Sequence, residues 1–189
     1  MIERRWKVAV LLMAWALLAG YQEVAATKVK PMTTQELVKE SDLIIHGTVS
    51  KVASTWNQQG TVILTKVNIT LSKKLKGAKA LGTTFQLIQL GGKMDNKRMT
   101  LVGDAKLKEG EEVVLFLKEA TNNPDVNYWV TGMAQGKYMV QTDKATGAKL
   151  VIKEEEVARV TKEKPGKPKP EAAPTLEEFY QMVQKLSEK

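Results

Sequence analysis

The sequence predicts a mainly β domain: a small OB-like antiparallel β-barrel with a short N-terminal helix and a C-terminal amphipathic helix. Three observations carry that expectation. From Leu43 to Lys153, short runs rich in Val, Ile, Leu and Thr alternate with clusters of Gly, Asn and Asp, the pattern of strands separated by turns. The run Val113 to Leu117 is wholly apolar and lies between the charged turn Lys108-Glu109-Gly110-Glu111 and Lys118, which suits a strand buried on both faces. Finally, Thr33-Thr34-Gln35-Glu36 and Thr175-Leu176-Glu177-Glu178 each fit a capping box, in which a threonine hydroxyl and a glutamate carboxylate satisfy two free backbone donors at a helix start.

Residues 1–26 read as a secretory signal peptide. Arg4, Arg5 and Lys7 precede the uncharged stretch Val8 to Tyr21, which is shorter than the roughly 20 residues of a membrane span. Val24-Ala25-Ala26 offers small residues for cleavage after Ala26, which would leave no membrane span. An uncleaved N-terminal membrane anchor is the alternative. Export through the Sec pathway to the periplasm or the extracellular space is therefore expected.

The β domain spans 27–161. After an extended lead, the first capping box opens a helix over Thr34 to Lys39 that buries Leu37 and Val38. Leu43 to Trp56 is a strand in which Leu43, Ile45 and Val49 share a face while Val52 falls out of phase, which places a bulge near Ser50-Lys51. Asn57 to Gly60 forms a hairpin loop, and Thr61 to Ser72 is the clearest alternating strand. Lys73 to Gly82 reads as a basic connection, Thr84 to Leu90 as a strand, Lys93 to Arg98 as a polar loop and Met99 to Val102 as a short strand. Tyr128 to Val140 reads as one strand in which Gly132 and Gly136 mark a bulge or a close backbone approach. Asp143 to Gly147 turns the chain into a last strand, Ala148 to Lys153.

Residues 162–174 interleave Pro165, Pro168, Pro170 and Pro174 with Lys162, Lys164, Lys167 and Lys169, the composition of an extended linker. The helix that follows, within 175–189, carries Leu176, Phe179, Tyr180, Val183 and Leu186 on one stripe. A helix this short is marginal alone, so the stripe is a candidate docking face for the barrel or for a protein partner.

The chain has 189 residues, a net charge of +8 and no cysteine. The absence of cysteine excludes disulfides, zinc-thiolate centres and a thiol nucleophile. The positive charge favours anionic partners or surfaces, although scattered lysines also serve solubility. Lys66, Lys73, Lys74, Lys76 and Lys79 form the candidate binding surface, for an anionic envelope polymer or a protein. Nucleic acid is disfavoured, because single strands require stacking aromatics beside the cations. No catalytic, metal or cofactor site is expected. His46 is the only histidine and has no ligand cluster around it. As a strand residue it points away from Ile45, to solvent or the barrel edge. Glu111 and Glu112 are adjacent and, where the chain is already extended, point to opposite faces. Asp95 and Asp104 lack EF-hand spacing, and Gly91-Gly92-Lys93 lacks the rest of a phosphate loop. Asn68-Ile69-Thr70 matches a glycosylation acceptor within an expected strand.

The motif order Asp42-Leu43-Ile44-Ile45-x-Gly47-x-Val49, Leu75-Lys76-Gly77, Gly91-Gly92, Gly103, Gly110 to Leu117 and Gly132-x-Ala134-Gln135-Gly136-Lys137-Tyr138 resembles a family of uncharacterised exported bacterial proteins. These carry a signal peptide, one β-rich domain and a C-terminal helix. The resemblance covers about 33–140 and implies export and fold type. More distantly, Ser41 to Val49 and the Leu-Lys-Gly that follows the second strand are similar to netrin-like OB-fold modules, among them metalloproteinase-inhibitor domains. Those inhibitors act through cysteines that this chain lacks. The expected function is a non-enzymatic binding or interaction module of the cell envelope or exterior. A protease-inhibitor-like module and an enzyme with an unrecognised site are the alternatives.

Overall fold

The computed structural model describes residues 30–101, 103–153 and 173–188. The expected signal peptide and its cleavage site, and all of the expected linker except residues 173–174, lie outside the described residues. Among the described residues, nine strands and two α-helices follow in order: α1 (Thr34–Glu40), β1 (Leu43–Trp56), β2 (Ile63–Lys76), β3 (Thr84–Leu90), β4 (Gly92–Met94), β5 (Lys97–Met99), β6 (Glu112–Glu119), β7 (Tyr128–Val130), β8 (Lys137–Thr142), β9 (Lys149–Lys153) and α2 (Leu176–Ser187). Both capping boxes form as the sequence requires, with Thr33 and Glu36 at α1 and Thr175 and Glu178 at α2.

The main sheet is antiparallel, in the order β3-β2-β1-β6-β8-β9, and β7 also pairs with β6. Alternation puts Leu43, Ile45, Val49, Val67, Ile69, Phe85, Leu87, Val113, Leu115 and Leu117 into one core on the concave face. Ile44, Val114, Phe116, Tyr138, Val140 and Val151 point the other way, where Leu37 and Val38 of α1 and Phe179 and Val183 of α2 cover them. The continuous run in β6 is thus buried on both faces, each of its residues from Val113 to Leu117 being fully inaccessible.

The sheet curls until its β3 edge meets β7. No backbone ladder joins these strands among the described residues, so a closed barrel is not formed by strand pairing. Instead the Asn127 side chain copies a strand: its Oδ1 accepts from Ile88 N–H at 2.8 Å and its Nδ2 donates to the Gln86 carbonyl at 2.6 Å. At the other end of the sheet, Val151 N–H donates to the Pro174 carbonyl, so the segment leading into α2 covers β9.

Three local expectations change. The β2 strand runs on through Lys76 rather than ending at Ser72, because Lys73, Lys74 and Lys76 pair with His46, Ile45 and Ile44; long-range pairing overrides the poor strand propensity of lysine. The loop 93–98 and the following strand are in fact a hairpin, with Met94 paired to Lys97 across Asp95-Asn96, where Asp95 takes φ +51. The segment Tyr128 to Val140 is two strands. Val130 pairs with Leu117 and Lys137 with Leu115, while 131–136 loop out opposite Phe116 alone and wind a 3-10 turn over Met133–Gly136. Gly132 starts that excursion at φ +64, and Gly136 ends it where a Cβ would stand 2.5 Å from the Thr131 carbonyl oxygen. The bulge at Ser50 occurs as expected, between the pairs Val49–Ile69 and Lys51–Asn68.

Candidate functional site

Two constellations stand out, one closed and one open. The closed one centres on His46, which is 3% exposed. This corrects the expected solvent position: the residue does face away from Ile45, but α2 covers that face. The Tyr180 hydroxyl lies 2.7 Å from His46 Nδ1, and His46 Nε2 lies 2.9 Å from Glu112 Oε1. Lys149 Nζ reaches both Glu112 oxygens, at 2.8 and 3.0 Å. Lys73 Nζ sits 4.1 Å from the centre of the Tyr180 ring.

Protonation follows from these partners. A carboxylate only accepts, so Nε2 carries the imidazole proton and Nδ1 accepts from the tyrosine. Burial lowers the His46 pKa below 6.5, against the raising effect of the Glu112 hydrogen bond and charge, and Lys149 and Lys73 lower it further. Burial alone would raise Glu112, but the hydrogen bonds from Lys149 and His46 and the charge of Lys149 hold it below the ordinary carboxylate value. Tyr180 is raised, by burial and then by Glu112 and Glu177, and stays a hydroxyl donor. The ring is therefore neutral and both of its nitrogens are engaged within the fold. As built, this network seats a helix on a sheet.

The stripe on α2 has the same role. Phe179 and Val183 are fully buried, with Leu176 and Leu186 packed at their sides and Tyr180 on His46. Phe179 contacts the rings of Phe116 and Tyr138. The candidate partner-docking face is thus occupied by the chain's own sheet.

The five candidate lysines do not converge. An extended strand separates Lys66 from Lys73 by roughly 20 Å. Lys73 lies on Tyr180, Lys76 Nζ donates to the Val38 carbonyl at 2.7 Å near the end of α1, and Lys74 Nζ donates to the Lys79 carbonyl at 3.0 Å. Among the described residues, the Lys66 and Lys79 side chains enter no hydrogen bond or ion pair.

The open constellation lies at the β4–β5 hairpin. On one side of it is a cavity of about 310 Å³, walled by Val52, Leu90, Met99, Leu101 and Leu107 and rimmed by Lys93, Arg98 and Lys106. On the other side a shallower concavity of about 520 Å³ is lined by Trp56, Ile63, Lys97, Arg98 and Met99. Asp104 enters the first cavity, where its Oδ1 accepts from Gln89 and from Ala105 N–H, and burial raises its pKa despite both bonds. Lys93, Arg98 and Lys106 are exposed and meet no acidic side chain among the described residues. Leu101 and Met133 are the exposed large apolar residues of the described chain.

Glu111 and Glu112 diverge, although only Glu112 belongs to β6: Glu111 pairs at 3.0 Å with Lys137, which is 1% exposed, while Glu112 meets His46 and Lys149. No described group of three His, Asp or Glu residues could hold a metal ion, and no described helix is long and apolar enough to cross a membrane. No family model, curated protein or solved structure matches this chain.

Sequence reading missed the His46 network because its members are far apart in the chain. Glu112, Lys149 and Tyr180 lie 66, 103 and 134 positions from His46 along the chain, and only the antiparallel register of β1 on β6 and the return of α2 unite them. The hairpin did carry a signal, the Asp-Asn dipeptide between short β-compatible runs.

Proposed function

We propose that this chain is an exported, non-enzymatic binding module of the bacterial cell envelope or extracellular space, built on an OB-like, incompletely closed barrel. The observation that carries this reading is the distribution of its polar groups. The one histidine-centred cluster is used to hold α2, with both ring nitrogens engaged and 3% exposure. Lys93, Arg98 and Lys106, which meet no acidic side chain among the described residues, surround an open, partly apolar cleft. An apolar cleft with a few convergent charged groups is a binding geometry, and its sign selects an anionic or acidic partner. The barrel reading is supported by the strand order β3-β2-β1-β6-β7 and by the Asn127 bridge back to β3.

The test uses the chain from Thr27 as bait in an extract of the cell envelope, beside a variant reversing Lys93, Arg98 and Lys106 to glutamate. Recovery of defined partners, reduced by the charge reversal and by added salt, is the expected result. Recovery that is indifferent to both would overturn the reading.

A further inference from the structure

We infer that the outer edge of β5 is a docking edge for an acidic, extended polypeptide segment of a partner protein. This rests on the binding-module reading above and names the site and the partner.

The first observation is which strand edges are covered. The β3 edge is bridged by Asn127, and β9 is covered by Pro174 and Thr175. The β4–β5 hairpin is a separate two-stranded sheet, so β5 has one strand neighbour. In a two-residue hairpin the pair next to the turn exchanges hydrogen bonds and the next pair points its backbone groups outward. Here those outward residues are Lys93 and Arg98. Lys93 N–H indeed donates away from the hairpin, to Ser54 Oγ at 3.2 Å. The Arg98 N–H and carbonyl therefore face out of the opposite edge, where no described backbone group bonds them. An unpaired strand edge is a template for a further strand.

The second observation is the surrounding chemistry. Lys97 and Arg98 line the concavity beside that edge with Trp56, whose ring centre lies 5.4 Å from Lys97 Nζ, while Arg98 and Met99 also wall the cavity behind. Alternate side chains of an added strand would meet Arg98 and its cross-strand neighbour Lys93 on one face, and Met99 and Lys97 with the apolar surfaces of Trp56 and Ile63 on the other. An acidic segment alternating with apolar residues complements both. Charges on an exposed edge can also serve to repel other strands, and the experiment below separates the two roles.

The chain from Thr27 is titrated, by amide and indole NMR, with a synthetic end-blocked peptide alternating glutamate and valine. The same sequence with alternate backbone nitrogens methylated, and polyglutamate, serve as controls. Expected are shifts at Arg98, Met99 and the Trp56 indole, and affinity weakened roughly tenfold by methylation and again by Lys97→Glu with Arg98→Glu. Lys66→Glu with Lys79→Glu should leave the affinity unchanged. Unaltered unfolding midpoints show that the variants fold. Equal affinity for the methylated peptide or polyglutamate would reduce the site to a polyelectrolyte surface and overturn the proposal, as would shifts confined to the Lys66 face or no binding at low salt. If envelope partners are still recovered in that case, the binding-module reading stands without the edge.

Discussion

Protonating His46 would add a second proton to a ring whose nitrogens already have partners. Nδ1 would have to stop accepting from Tyr180, and the imidazolium would face Lys73 and Lys149. An unfolded histidine takes up its proton near pH 6.5, whereas the folded value is lower. Between those two values the unfolded chain binds more protons, so stability is full above 6.5, falls with pH through the window and levels below the folded value. Glu112 continues the trend: its lowered pKa contributes stability above 4.5 that is lost as pH falls through the folded value. Urea unfolding between neutral pH and about pH 5 should show a falling midpoint, and His46→Gln should flatten the slope near 6.5. An unchanged slope would remove His46 as its source. At Gly136 the prediction is steric. A Cβ would meet the Thr131 carbonyl oxygen at 2.5 Å and the Phe116 carbonyl oxygen at 3.0 Å, both backbone atoms that cannot rotate aside. Gly136→Ala should therefore cost about 1–3 kcal/mol, read from the same denaturation curves.

At the scale of elements, α2 acts as part of the core. Its two buried side chains lie against the outer layer of Phe116, Tyr138 and Val151, and Val151 is further tied to Pro174. Truncating a buried phenylalanine costs about 3–5 kcal/mol, a large share of the roughly 5–15 kcal/mol that holds a domain together. Phe179→Ala should lower the unfolding free energy by that amount, read from denaturation curves. A chain ending at Lys162 should bind a hydrophobic dye that the longer chain does not, since it uncovers the apolar face of β6 and β8. If the shortened chain unfolds at the same denaturant concentration, α2 is not part of the cooperative unit. The hairpin β4–β5 sits at the other extreme. It contributes little to either core cluster and is free to carry charge.

The molecule as a whole depends on how its sheet ends meet. Asn127 joins β3 to β7 with one side chain in place of a ladder, satisfying Ile88 N–H, Gln86 O and its neighbour Tyr128 N–H. Asn127→Ala removes these bonds from the seam, at about 0.5–1.5 kcal/mol each, because the groups are part-buried or exposed and water can replace them. Hydrogen exchange at Ile88 should accelerate in this variant while exchange at Leu115, in the middle of the sheet, slows or speeds only with global stability. Equal acceleration at both sites would mean the seam opens only when everything does.

Local chemistry was enough to read much of this fold. The two helix starts, the doubly buried β6, the Ser50 bulge and the turn at Asp143 to Gly147 each follow from residue types within a few positions of one another. What remained hidden depends on partners far apart in the chain. The extension of β2 through its lysines needs β1 beside it, and the splitting of Tyr128 to Val140 needs the Phe116 backbone against which the bulge forms. The burial of His46 needs a helix that begins 130 positions later, at Leu176. Periodicity and caps are short-range properties that a sequence carries in itself. Which charged side chains end up paired, buried or left at an open edge is decided by register and by the return of the chain, and these exist only in the tertiary structure.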